Sequence, residues 1–454
     1  MIARKGLAVA VAVFTAFAAP MAQAQSLSDA LASAYNTSGL LDQNRALLRA
    51  ADEGVAQSVA ATLPVINWSA SATKTLVTGP VRVTDNAVNA RISASLTLYD
   101  GGENRLAIEA QKELVLATRQ TLRRVEQDIL LRAVQAYANV LSAKEFVQLR
   151  DNNVRLITQE FRAAQDRFEV GEVTRTDVAL AEARLASARS LLAAAQGDLA
   201  VASEEFNAAA GIRPTSTRPI SPAPVSRSLE EAQEFAVRNH PSILEAQHSV
   251  AAAELNIRRA EAASIPNVTL DSFLATDQDS NETAQIGINI GGPLYTGGAI
   301  SSQVRQARAN RDATRAGLLL NVELIRQQVA NAYAQLAVAR ASREASDRQI
   351  AAAQVAFRGV REEATLGSRT TLDVLNAEQE LLDARASLIA AQVSEVVASY
   401  SLLAAMGLLT ADHLNLPVQQ YDPSAYYNLV KTAPTADSPQ GQALDRVLEA
   451  IGQD

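Results

Sequence analysis

Apolar positions recur along this chain with two different periods. Over short stretches the period is two. Ile66, Trp68, Ala70 and Ala72 alternate with Asn67, Ser69, Ser71 and Thr73, and Ile92, Ala94, Leu96 and Leu98 alternate with Arg91, Ser93, Ser95 and Thr97. Further on, Ile286, Ile288 and Ile290 alternate with Gln285, Gly287 and Asn289, while Val268 to Leu274 alternates less cleanly. Alternation gives a strand one apolar and one polar face, so it predicts strands near 65–77, 90–99, 267–276 and 284–294. Elsewhere the spacing is three and four. Leu122, Val125, Ile129, Ala133, Ala136, Val140, Ala143 and Val147 form one such stripe, and Leu318, Ile325, Val329, Ala332, Leu336 and Ala339 form another. They lie in long helical segments running from Glu103 to about Phe168 and from Ala299 to about Thr365, the first without Gly or Pro. At 1.5 Å per residue each would reach roughly 100 Å, a length that calls for a coiled coil or a helical barrel. The abundance of alanine on the stripes suits close helix approach around a hollow interior.

Each long segment ends at the same kind of turn. Phe168-Glu169-Val170-Gly171 leads to Thr174-Arg175-Thr176-Asp177-Val178, and Thr365-Leu366-Gly367-Ser368 leads to Arg369-Thr370-Thr371-Leu372-Asp373-Val374. Glycine suits the left-handed turn, and Thr, Ser and Asp cap the helix that follows, so both stretches read as helix–turn–helix tips. The two glycines are 196 residues apart. Tyr99-Asp100-Gly101-Gly102 and Tyr295-Thr296-Gly297-Gly298 share that offset, as do Ala136-Tyr137-Ala138 and Ala332-Tyr333-Ala334. A period this long marks two copies of a domain-sized unit.

The expected organisation is a signal peptide (1–24), a first repeat (25–210), a linker (211–227), a second repeat (228–409) and a partly disordered C-terminal tail (410–454). Each repeat reads helix, two strands, very long helix, tip, helix. Its opening helix spans Ser28–Leu63 in the first copy and Leu229–Ile265 in the second, ended by Pro64 and Pro266. The linker is rich in Pro, Ser and Thr, and the tail loses periodicity and carries Pro417, Pro423, Pro434 and Pro439.

Composition narrows the class. Arg4 and Lys5, the apolar run Leu7–Ala19, Pro20 and Ala22-Gln23-Ala24 have the layout of a secretory signal with cleavage before Gln25. No other run resembles a transmembrane helix, so an exported chain would be soluble or would span by strands. Among 454 residues there is no cysteine, which excludes disulfides and a lipidated N-terminus. Aromatic residues are 4 % and the net charge is −8 without a basic stripe, which argues against nucleic acid as a partner. The three histidines, His240, His248 and His413, lack metal-ligand spacing, and no phosphate loop or nucleophile motif is present. The sequence therefore offers no catalytic or cofactor site.

Two accounts of the strands stand side by side. One is a half-buried sheet on a soluble core. The other is a transmembrane barrel with Ile66, Trp68, Ile92, Leu96, Ile286 and Ile288 toward lipid and Asn67, Ser93, Ser95 and Asn289 toward a wet lumen. Four strands cannot close a barrel, so the second account requires an oligomer. At the tips, Val170 with Gly171 and Leu366 with Gly367 form small-residue notches able to accept a partner's helical hairpin. A trimeric coiled-coil structural protein of the envelope, a periplasmic adaptor and an envelope hydrolase are the rival classes. The first leaves the strand pairs unexplained, the second one tip too many, and the third lacks catalytic groups.

Together, the signal, the duplicated unit and the doubled tip resemble the TolC family of outer-membrane channel-tunnel proteins. The resemblance runs from Leu27 to about Leu409. It rests on Arg167–Gly171 with Thr176-Asp177-Val178, on Leu294–Gly298 with Ser302-Gln303-Val304, and on Gly367–Thr370 with Asp373-Val374-Leu375. It implies an α+β membrane protein: a homotrimer whose twelve strands, four per subunit, form a β-barrel in the outer membrane of a Gram-negative cell, joined to a long periplasmic helical tunnel. It implies no enzymatic activity. It implies export of proteins or small toxic compounds with a periplasmic adaptor (membrane fusion) protein and an inner-membrane ABC or RND-type transporter. It also implies an aperture at Thr176, Asp177, Arg369, Asp373 and Asn376, with Arg369 latching onto Thr176 and Asp177 and Asp373 forming a charged ring. By position alone, Arg369 and Asp373 are equally an i,i+4 surface pair. Asn376 replaces a second acidic residue and Ala364 a tyrosine, so latch and ring are both expected to be weaker here.

Overall fold

The computed structural model describes residues 26–77, 83–215 and 217–452, so the expected signal peptide and part of the first hairpin loop lie outside the described residues. The elements run α1 (Leu27–Thr37), α2 (Gly39–Ala60), β1 (Val65–Val77), β2 (Val83–Tyr99), α3 (Glu103–Glu169) and α4 (Arg175–Ala210). The same succession follows as α5 (Leu229–Asn239), α6 (Pro241–Ala262), β3 (Asn267–Asp277), β4 (Glu282–Gly291), α7 (Ala299–Thr365) and α8 (Thr371–Ala405), and then α9 (Ala425–Val430) and α10 (Pro439–Gly452).

The opening helix of each unit is two helices, not one. Ser38 has an extended backbone and its side chain accepts from the Leu41 amide, starting α2 afresh. In the second unit His240 plays that part: Nδ1 accepts from the Ser242 amide and Pro241 occupies the first helical turn. Proline lacks the N–H needed to continue α5 but is preorganised to begin a helix. Burial pushes the His240 imidazole down to about 4, so this cap is neutral.

The four strands form one antiparallel sheet in the order β1-β2-β3-β4. β2 begins earlier than its alternation suggests, because the stretch 83–88, which lacks clean alternation, pairs with β1 alone. β4 stops at Gly291, ahead of Pro293, which has no amide proton to give a ladder. The register pairs Asn67 with Ser93, Trp68 with Ile92, Ser95 with Asp271, Leu96 with Leu270, Ile288 with Leu270 and Asn289 with Thr269. Even-numbered positions of the strands thus share one face and odd-numbered positions the other, up to a bulge between Thr97 and Tyr99.

α3 and α7 are each 67 residues long. α3 packs on α2 and α6 in its first part and on α4 and α8 in its last, while α7 packs on α5, α6 and α8. The largest apolar core sits midway, where Val125, Ile129, Leu130, Ala133 and Val134 of α3 and Ile325, Val329, Ala332 and Leu336 of α7 meet Leu402 and Met406 beneath α1 and α5. Contrary to expectation, α8 is also apolar and long enough to cross a membrane by length and composition. In this fold it buries Val374, Leu375, Leu381, Leu382, Leu402 and Leu403 against its neighbours.

The tail packs on the helices although it lacks their periodicity. Ala411 and Leu416 are buried, and Tyr426 and Val430 of α9 pack on Ala56 of α2. Tyr426 donates to Glu53 at 2.7 Å, the Ala411 amide donates to Glu126, and Arg45 lies between the rings of Tyr35 and Tyr421. The prolines deny the segment a long helix, yet its tyrosines supply enough apolar area to hold it down.

Candidate functional site: an apolar sheet face and two helical tips

Three groups of residues carry the functional argument, and they occupy opposite ends of the long helices. At the strand end, Ile66, Trp68, Ile92, Ile286 and Ile288 are exposed, Trp68 by 80 %. Leu96 lies on the same face, half-buried. On the other face, Ser95 donates to Asp271 at 2.6 Å, Thr269 donates to the same carboxylate at 2.7 Å, and Arg91 stacks on Phe273 at 3.7 Å. The sheet therefore turns bare aliphatics one way and a hydrogen-bonded polar surface the other. Its outer strands β1 and β4 each have one unpaired edge.

At the other end, both tips are built alike. After α3, Gly171 takes φ +80°; its amide donates to Phe168 O at 3.0 Å and that of Glu172 to Arg167 O at 2.8 Å. After α7, Gly367 takes φ +78°, with Gly367 N to Ala364 O at 3.1 Å and Ser368 N to Glu363 O at 3.0 Å. This pair of bonds closes a helix through a left-handed residue, which is why glycine stands there. The following helices start with capping boxes. Thr174 Oγ1 accepts from the Asp177 amide while Asp177 Oδ2 accepts from the Thr174 amide, and Thr370 and Asp373 do the same. The Gly, Thr and Asp spacing of the sequence predicts this geometry.

The aperture residues are distributed more loosely than the sequence suggests. Arg369 precedes the cap Thr370, so it is not on the helix of Asp373 and the i,i+4 pair does not arise. Its Nε donates to Glu363 Oε2 at 2.8 Å, within its own tip, and not to Thr176 or Asp177. Asp373 is held below the ordinary carboxylate range, first by the Thr370 amide and hydroxyl and last by Arg369. Asp177 is lowered in the same way by Thr174. Thr176 is exposed in the first turn of α4. Asn376 Oδ1 accepts from Arg184 of α4 at 3.4 Å, a contact between the two tip hairpins. Val170 and Leu366 protrude, 71 % and 84 % exposed, beside Gly171 and Gly367, where an added Cβ would meet nothing within 4 Å.

Sequence reading missed the partners Glu363 and Arg184, since both lie across turns or helices that periodicity does not locate. It also passed over Glu378, whose place on the stripe Val374, Leu375, Leu381 and Leu382 was a visible signal.

The family model for outer membrane efflux proteins matches residues 26–212 and 234–408. The chain belongs to that family. Among its relatives is the outer membrane efflux protein BepC of Brucella suis, 37 % identical over 420 residues that cover 90 % of this chain and 91 % of BepC. The outer membrane protein TolC of Vibrio cholerae is 27 % identical over 382 residues, covering 80 % and 86 % of the two chains. A solved structure with the same fold is the outer membrane protein VceC of Vibrio cholerae, with a TM-score of 0.73, 21 % identity, and 84 % and 96 % of the two chains covered. The family is that of the TolC-like outer-membrane factors, which places this chain in the outer membrane of a Gram-negative cell.

Proposed function

We propose that three copies of this chain form a channel-tunnel that carries proteins or small toxic compounds out through the outer membrane. The observation that carries this reading is the sheet: four strands with two open edges and one exposed apolar face. A free edge and a bare aliphatic face are both costly in water. Joining β4 of one copy to β1 of the next closes twelve strands, removes the edges and gives the aliphatics to lipid, while Asn67, Ser93, Ser95 and Asn289 line a wet lumen. Exposed Val201 of α4 and Leu319, Leu320, Val338 and Val355 of α7 supply a second apolar surface along the helices, suited to the neighbouring copies.

On this reading the two repeats contribute two strands and one tip each. The tips form the periplasmic aperture, with Thr176, Asp177, Arg369, Asp373 and Asn376 at its rim. Val170, Gly171, Leu366 and Gly367 receive the adaptor, which links the channel to an inner-membrane ABC or RND-type transporter. No step requires a cofactor or catalysis. A non-channel trimeric coiled coil is the weaker alternative because it gives the apolar sheet face nothing to do. The test is to extract the protein from outer membranes in detergent, crosslink it and record single-channel currents in a planar bilayer. Crosslinked trimers with discrete conductance are expected; a protein confined to the soluble periplasmic fraction and without conductance overturns the reading.

A further inference from the structure

One carboxyl stands where an apolar side chain belongs. Glu378 occupies the buried stripe of α8 and is 4 % exposed. Its Oε1 accepts from Asn153 Nδ2 of α3 at 2.8 Å, and its Oε2 is buried with no hydrogen-bond partner. The contact crosses the seam between the two helix pairs α3–α4 and α7–α8. Leu375, one turn earlier, packs across the same seam on Ile157, Leu185 and Ala188.

The charges around Glu378 come from every helix at the seam. Glu160 of α3 repels a carboxylate there, while Arg361 of α7 attracts it but lies 3.9 Å from Glu160, which it partly neutralises. Arg184 of α4 bonds Asn376, two residues away. Burial, the largest influence, pushes the Glu378 carboxyl up to about 7. A carboxylate with one hydrogen bond in so dry a place is expensive. A carboxylic acid is not, since it can set a donor beside the amide oxygen of Asn153 while still accepting from its nitrogen.

We propose that Glu378 is a proton-operated clasp: protonated, it holds α8 against α3; ionised, it loosens the seam and lets the two helix pairs part. The consequence for transport rests on the reading of the tips as an aperture; the clasp itself does not. Because the folded group titrates above its ordinary value near 4.3, the penalty of ionisation grows as pH rises from there and levels off above about 7. The seam is tightest in acid and weakest in alkali.

The test uses the assembled protein in detergent. Hydrogen exchange of the segments 150–160 and 374–384, corrected for intrinsic rates, is followed at pH 6 and pH 8 alongside channel conductance. In the wild type, protection should fall about tenfold between these pH values, the change linkage gives for a group titrating near 7. Glu378→Gln, which keeps the shape and amide-like donor of the acid form, should stay protected at both. Asn153→Asp sets a second carboxyl beside the first and should move the transition to higher pH. The clasp is overturned if wild type and Glu378→Gln show the same pH dependence, or if Glu378→Gln is as loose at pH 6 as the wild type at pH 8. An exchange transition in a protein that fails to conduct would keep the clasp and discard the aperture.

Discussion

The strand end and the tip end of this protein lie about 100 Å apart along α3, and they expose opposite chemistry. The sheet shows a continuous face of Ile66, Trp68, Ile92, Ile286, Ile288 and Ile290. The tips show Thr, Asp, Glu and Arg, broken by a few exposed apolar side chains, of which Val170 and Leu366 protrude furthest and Phe168 and Leu372 less. A broad apolar face wants an apolar solvent, whereas single apolar residues in a polar rim want one matching pocket on a partner. On the proposed function the same helices would carry a lipid-facing device at one end and a protein-facing device at the other, and the contrast can be broken end by end.

The largest effect is expected at the sheet. Leu96→Lys places a charge on the apolar face and Ser95→Lys on the polar one, one residue apart. The first should cost about 2–4 kcal/mol more than the second near the bilayer centre, read as a loss of folded, membrane-inserted protein in refolding titrations. Equal insertion of the two variants would show that the faces are reversed or that the sheet does not meet lipid.

At the tips a bulky residue should separate contact from folding. At Gly367 a side chain finds open space but a positive φ, so Gly367→Trp strains the turn by about 1–2 kcal/mol. Export should be lost while trimers remain on native gels. Trimers lost together with export would mean that the glycine serves the turn alone. Gly171→Trp applies the same test to the first tip.

How much of this was legible follows from what each pattern reports. Alternation encodes which face a strand residue joins, so the parity of Trp68, Leu96 and Ile288 could be read directly. The capping boxes were legible because Thr174–Asp177 and Thr370–Asp373 satisfy each other within four residues. The break at Ser38 and His240 was written locally too, in Ser-Gly and His-Pro, but the apolar stripe continues across it and hides it. Contacts such as Arg184–Asn376 and Asn153–Glu378 join residues about 200 positions apart, and no local period fixes which helix faces which. Arg369 falls off the helix for a simpler reason: the i,i+4 spacing to Asp373 does not say that α8 begins two residues later, at Thr371.

The caps give a smaller effect with a defined sign. Thr370→Ala should destabilise the second tip by about 1 kcal/mol, seen as faster proteolytic nicking near residue 367. Asp177 and Asp373 are held below their ordinary value of about 3.9 by their threonines. Their contribution is therefore complete above that value and lost as pH falls through the lowered one, so nicking of the wild type should rise only in strong acid. A tip that loosens between pH 6 and 8 in a Glu378→Gln background would point to some other group.

The smallest expected change is electrical, and it concerns what Arg369 holds. In one chain its partner is Glu363, an exposed ion pair of the kind that contributes little to stability. If neighbouring tips meet at an aperture, the guanidinium can exchange Glu363 for Thr176 and Asp177 across the rim. Arg369→Ser and Asp177→Asn should each raise conductance, and the double variant should add little, because both remove the same link. Asparagine is chosen because it keeps an acceptor for the Thr174 cap while discarding the charge. Glu363→Gln removes the competitor within the tip, frees Arg369 to reach across, and should lower conductance. If Glu363→Gln instead behaves like Arg369→Ser, the arginine does no more than brace its own turn, and the rim is held elsewhere.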